Sequence, residues 1–302
     1  MNTTLDPQWL DRMYNNRSLV PEFEHLLSRW QQDSAVAREQ QPCKLDIAYG
    51  EGGSELLDVF PAQNVVGTSV PVMVFIHGGY WRSLDKSDQS MVAPAFAQAG
   101  ACVVIPNYAL CPGTHDKPVG VADIALQMVK AIAWVYRNIA QYGGDPTRIT
   151  VVGHSAGGHL AAMMMTALWH TYENDLPERL VKNGMSLSGL FELETIRQTP
   201  YVQVSLNLTS QEAQKCSPGW MPSPRISNGR SVFYSVAGAL ESAEFLRHNR
   251  LIRQAWGRKA VPVCESLPGL NHFSVLEALT EPSHRLHRLA LGLLGLAQTP
   301  SR

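Results

Sequence analysis

Apolar positions change their rhythm along this chain, and each change predicts a different element. Residues 7–14 (PQWLDRMY) and 21–40 (PEFEHLLSRWQQDSAVAREQ) read as helical, parted near Pro21. Two stretches then alternate apolar with polar residues, KLDIAYG and SELLDVF, as strands near the edge of an antiparallel sheet do. From residue 72 the pattern becomes short buried runs alternating with longer helical ones. VMVFI (72–76) and ACVVIP (101–106) are predicted strands around a helix, SDQSMVAPAFAQAG, that ends at Gly100. VADIALQMVKAIAWVYRNIAQYGG (121–144) is a long amphipathic helix stopped by paired glycines and Pro146. A strand from Ile149, a helix rich in Ala, Met and Leu (160–168), and strands GMSLSGL (184–190) and SVFYSVAG (231–238) follow. The chain continues with a helix (SAEFLRHNRLIRQAW), a last strand (AVPVCESLP) and a closing helix (RLHRLALGLLGLA).

Strands alternating with helices imply a mostly parallel sheet covered on both faces. The span 191–230, polar and rich in proline, breaks the rhythm and reads as a small cap above the sheet. No repeat or long linker divides the chain, so 1–302 reads as one domain, with a helical extension over 1–42.

Composition narrows the class. The formal charge is −1 and 45% of residues are hydrophobic, which argues against a nucleic-acid or anionic-membrane partner. The five cysteines are scattered and show no metal or redox spacing, as expected of free thiols in a reducing compartment. The polar, charged start is no signal peptide, and no run approaches the roughly 18 apolar residues that span a bilayer. A cytoplasmic protein is expected, with a homodimer left open.

The chemistry concentrates in RITVVGHSAGGHLAA (148–162), where Gly-x-Ser-x-Gly stands between a strand and a helix. Such a corner lifts Ser155 above the sheet edge in a strained conformation, and only glycine fits at 153 and 157. The serine then sits at a helix N-terminus, where N–H groups favour negative charge. FIHGGYW (75–81) follows the first buried strand, and Gly78 and Gly79 there, with the N–H of Ala156, form the expected oxyanion hole. His77 reads as structural. The general base should come from a later loop, and only His272, in LPGLNHFSVLEAL, follows the last strand directly. His248, His284 and His287 fall on helices and are expected to be solvated. No Asp occurs after Asp175, so the acid must be Glu. Glu241, just beyond the turn at Gly238, is favoured over Glu244. Tyr80, Trp81, Phe273 and Trp220 are expected to line the substrate site, with Tyr14, Asn15 and Asn16 at its entrance. Aromatic walls suit a small aromatic substrate. Acyl transfer of this kind needs no metal or organic cofactor.

These motifs together, HGGYW, GHSAGGHL, SGLFEL, ESAEF and NHF, resemble the α/β-hydrolase superfamily and, within it, the arylformamidase (kynurenine formamidase) and related esterase group. The resemblance runs from about Lys44 to the end, and the opening YNNR, VPEF and ARE are similar to bacterial members with an N-terminal helical extension. It implies an α/β-hydrolase fold, Ser155 as nucleophile, His272 as base, and Gly78 and Gly79 at the oxyanion. The family's pattern carries Asp where this chain has Glu241. A hydrolase of an aryl formamide is therefore expected. The alternatives are a carboxylesterase or carbamate hydrolase, and a non-catalytic ligand-binding protein on the same scaffold.

Overall fold

A strand covered on both faces must be apolar throughout, and Val70–Ile76 is buried at every position. Val72, Val74 and Ile76 join one core cluster, with Ile132 and Leu160 of the helices on that side. Met73 and Phe75 join the other, with Phe96, Leu286 and Leu293. The structure, a computed structural model, describes residues 6–63, 65, 69–224 and 231–296.

The sheet has eight strands: β1 (Lys44–Ala48), β2 (Leu56–Phe60), β3 (Val70–Ile76), β4 (Cys102–Pro106), β5 (Gly144–His154), β6 (Val181–Leu187), β7 (Phe233–Gly238) and β8 (Cys264–Leu267). Their order is β1-β2-β4-β3-β5-β6-β7-β8. β1, β2 and β4 pair antiparallel, and every pair from β4–β3 onward is parallel. This is the α/β-hydrolase fold. The strand order reverses around β3, whose neighbours are β4 on one side and β5 on the other. A crevice opens at the carboxyl ends of strands where the order reverses. Ile76 pairs with Gly153 there, so the loops after β3 and β5 emerge side by side.

Several boundaries differ from the sequence reading. The helix expected over 87–100 is a 3-10 turn, Lys86–Val92, followed by a short helix, Ala93–Gln98, with Pro94 in its first turn. The long helix runs Val121–Asn138 and ends in a 3-10 turn closed by Gly143 at φ +82°. β5 begins at Gly144, ahead of its β-branched run, and β6 ends at Leu187 because Ser188 turns the chain at φ +56°. Within the segment read as a cap, three helices appear: Leu193–Arg197, Pro200–Leu206 and Ser210–Lys215. Its residues 225–230 lie outside the described residues.

The N-terminal helices Pro7–Tyr14 and Phe23–Gln40 pack onto this body through Leu10, Tyr14, Phe23, Leu26 and Trp30, all buried. A buried charge cluster anchors the second of them. Asp58 of β2 is ion-paired with Arg38 of that helix and with Lys86 Nζ at 2.8 Å, and Lys86 also reaches Asp46 at 2.6 Å.

Candidate active site

β5 ends at His154, and the helix Ala156–Thr166 begins two residues later. Ser155 makes that corner at φ +56°, ψ −118°, a region costly for any residue with a side chain. The glycines permit it. A Cβ on Gly153 would stand 2.1 Å from Gly157 O, and one on Gly157 would stand 2.0 Å from Ile76 O. The Ser155 N–H donates to Leu187 O of β6 at 2.8 Å, which locks the turn to the sheet.

His272 arrives from the loop after β8. Asn271 Oδ1 accepts from the N–H groups of Phe273 and Ser274 at 2.9 Å each, and the Asn271 N–H donates to Ser274 Oγ at 2.9 Å. That local turn aims the imidazole inward. His272 Nε2 lies 3.1 Å from Ser155 Oγ, and Nδ1 lies 2.7 Å from Glu241 Oε2. The other carboxylate oxygen, Oε1, accepts from Ser188 Oγ at 2.5 Å and from the Gly238 N–H at 2.6 Å. Glu241 therefore presents one oxygen to His272 while the other is held. Glu244 is committed elsewhere: it accepts from Tyr14 OH at 2.8 Å and pairs with Arg247 at 2.8 Å.

Two residues that support this line carried no signal in the sequence. Ser188 lies 53 positions from Glu241 along the chain. His154 donates from Nε2 to the His272 carbonyl at 2.7 Å, across 118 positions. Burial pushes the His154 pKa down to about 3, helped by the neighbouring imidazole of His272 and opposed by that hydrogen bond. A neutral His154 adds no second positive charge beside His272.

The loop after β3 faces the serine. Gly79 has φ +99°, and a Cβ there would stand 2.0 Å from Ser83 O; one on Gly78 would meet His154 O at 2.8 Å and Ser155 Cβ at 3.0 Å. Tyr80 and Trp81 continue the turn at φ +51° and +55°. Ala156 is the first helical residue after the serine, so its N–H has no acceptor within the helix. His77 is structural, stacked on Tyr108 at 4.1 Å and hydrogen-bonded to Asn107 at 3.1 Å.

A cavity of about 50 Å³ lies over Ser155 and His272. Tyr80 and Phe273 line it, as expected, and so does Asn16. Others of that set are placed differently. Trp81 is fully buried against His159, 4.9 Å between ring centres, because consecutive positive φ values turn it into the core. Trp220 is 49% exposed on a 3-10 turn and does not reach the cavity. Asn15 caps the helix Asn16–Leu19, and Tyr14 is buried behind the wall, its OH 2.8 Å from Thr195, Glu244 and His248 alike. His248 and His287 are buried rather than solvated. Tyr14 and the Phe191 N–H hold the first, and the Leu279 carbonyl holds the second. His284 caps the last helix. Sequence reasoning missed Phe23, Trp30 and Tyr201, which come from elements distant from the elbow, and also Arg17 and Arg82, which directly follow Asn16 and Trp81.

The chain is similar to known hydrolases. A BD-FAE family model matches residues 57–199. The chain is 30% identical over 263 residues to the kynurenine formamidase of Danio rerio, covering 86% of this chain and 84% of that protein. It is 40% identical to the esterase LipQ of Mycobacterium tuberculosis over 121 residues, 39% of this chain and 28% of that one. A crystal structure from Silicibacter sp., provisionally described as a thioesterase, superposes with a TM-score of 0.76 at 28% identity, covering 95% of this chain and 98% of that one. Among the described residues, no helix is long and apolar enough to cross a membrane.

Proposed function

Because the chain belongs to the arylformamidase-like esterase group of α/β-hydrolases, we propose that it hydrolyses a small aryl formamide through an acyl-enzyme on Ser155. The observation that carries this reading is the line Ser155–His272–Glu241, with spacings of 3.1 and 2.7 Å. Ser155 Oγ attacks the formyl carbon while His272 Nε2 takes its proton. Glu241 holds the Nδ1–H and stabilises the imidazolium that forms. The carbonyl oxygen becomes an oxyanion beside the N–H groups of Gly79 and Ala156, with Gly78 in reserve. His272 then gives its proton to the aryl nitrogen as the C–N bond breaks, releasing the arylamine and leaving a formyl ester on Ser155. Water, deprotonated by the same imidazole, attacks that ester, formate departs, and the proton returns to Ser155 Oγ.

A second reading keeps the chemistry and exchanges the formamide for a short-chain ester, supported by the match to LipQ. The kcat/KM values for N-formylkynurenine and 4-nitrophenyl acetate, measured side by side, separate the two. Turnover of the formamide, lost in Ser155→Ala, is the expected result. Hydrolysis of the ester alone hands the site to a carboxylesterase. A fluorophosphonate probe that fails to label Ser155 in the folded protein sinks both.

A further inference from the structure

Trp30 divides two hollows. Among the described residues it is the one that lines both the cavity over Ser155 and a second, larger cleft of about 700 Å³. That cleft lies between the helices Phe23–Gln40 and Ser274–Thr280, with Met91 and Ala95 also on its wall. The indole is 2% exposed, and its centre stands 6.3 Å from that of the His154 ring and 6.1 Å from that of Phe273. Those two residues flank Ser155 and His272 in the chain, so the partition stands next to the reacting groups. Trp30 Nε1 has no hydrogen-bond partner among the described residues, and packing alone holds the ring. The buried residues that line the cleft, Trp30, Ala37 and Ala278, are all apolar. Its charged residues lie further out: Arg29, Asp33 and Glu281 are exposed, and Glu277 is half-buried and paired with Arg29. A hollow with apolar residues inside and charged ones outside suits a hydrocarbon chain.

We propose that Trp30 sets the length of chain the enzyme accepts: its indole seals the cleft from the reaction cavity and turns away substrates whose apolar chain would need that space. The inference rests on the hydrolase reading and adds to it a limit on substrate length. Trp30 takes no part in the bond-making steps; it determines specificity by occupying space. Shortening a buried side chain leaves a hollow that the surrounding packing refills only in part. With the indole gone, cavity and cleft become one. A chain laid into the joined space then gains about fourfold in binding for each methylene taken out of water.

The test compares kcat/KM for 4-nitrophenyl acetate and 4-nitrophenyl octanoate on the full chain. The wild-type protein is expected to favour the acetate. In Trp30→Ala the octanoate-to-acetate ratio should rise by about tenfold or more, whatever happens to the absolute rates, while Trp30→Phe should stay near wild type. Trp30→Leu takes its place if the alanine variant does not fold. Adding Ala95→Trp to Trp30→Ala refills the cleft and should return the ratio toward its wild-type value, which loosened packing alone would not do. Calorimetric binding of octan-1-ol against butan-1-ol asks the same question without turnover. A wild-type preference for the octanoate, an unchanged ratio with unchanged octan-1-ol binding in the Trp30 variants, or a gain that persists with Ala95→Trp overturns the inference and leaves the hydrolase reading intact. A selective gain in octan-1-ol binding, in a protein whose Ser155 resists a fluorophosphonate, supports the partition and overturns the hydrolase reading instead.

Discussion

Glu241 and Glu244 lie three positions apart, and their surroundings give them different work. Glu241 holds one oxygen on His272 and the other on Ser188 and Gly238. Glu244 sits under Tyr14 and beside Arg247. Glu241→Gln should therefore lower kcat by roughly 10³–10⁴ with little change in KM, since an amide can present the wrong hydrogen-bonding partner to Nδ1. Glu244→Gln should lower stability by about 1–3 kcal/mol through loss of a buried charge-assisted bond and leave kcat within a few fold. Steady-state kinetics and urea midpoints on the two variants separate the roles. At the elbow, Gly153→Ala places a Cβ 2.1 Å from the Gly157 carbonyl oxygen. That backbone cannot yield without displacing Ser155, so loss of fluorophosphonate labelling is expected even in protein that remains folded by circular dichroism.

The helix Phe23–Gln40 brings Phe23 and Trp30 to the cavity, so its seat on the sheet bears on the site as well as on stability. Part of that seat is the buried ion pair of Lys86 with Asp58, whose side chains are 4% and 0% exposed. Removing one partner strands the other in a poorly solvated place. Lys86→Met should cost about 3 kcal/mol, reduced to the extent that Arg38 takes over Asp58. Chemical denaturation checks the magnitude, and a rise in KM greater than any fall in kcat would locate the damage at the cavity wall. The short helices Leu193–Arg197 and Pro200–Leu206 contribute in a similar way: Thr195 meets Tyr14 OH, and Tyr201 stacks under Arg82.

Four of the buried imidazoles, those of His77, His154, His159 and His248, bear most on how the whole molecule responds to acid. Burial is the leading cause in each, and all four pKa values are lowered, His154 to about 3 and His159 to about 4. Below about pH 6.5 the unfolded chain binds a proton at each of these positions, while the native site does not. The unfolded state thus gains as pH falls, and each group removes about 1.4 kcal/mol of stability per pH unit until its native site also protonates. Against a total of about 5–15 kcal/mol, the melting temperature should be flat above pH 7 and drop steeply between about pH 6 and 4.5. Thermal melts across that range test it. A curve that stays flat to pH 4.5 would contradict the assignment of these imidazoles as buried and neutral.

Much of this protein could be read before any coordinates. The strand–Ser155–helix corner, the glycines after β3 and the His272 loop were legible because each is a local requirement, met by residues within a few positions of one another. Strand alternation marked the parallel sheet for the same reason, although β5 and β6 were displaced by several residues where Gly143 and Ser188 turn the chain. The placement of Trp81 in the core, of Trp220 at the surface and of His248 under Tyr14 could not be read in this way. Neither could Ser188 as partner to Glu241, nor the meeting of Arg17, Arg82 and Asn16 on one wall. Local spacing constrains backbone shape, because propensity and turn chemistry act over a handful of residues. Which side chain faces the cavity depends on contacts between segments dozens to hundreds of positions apart, and only the folded chain brings those together.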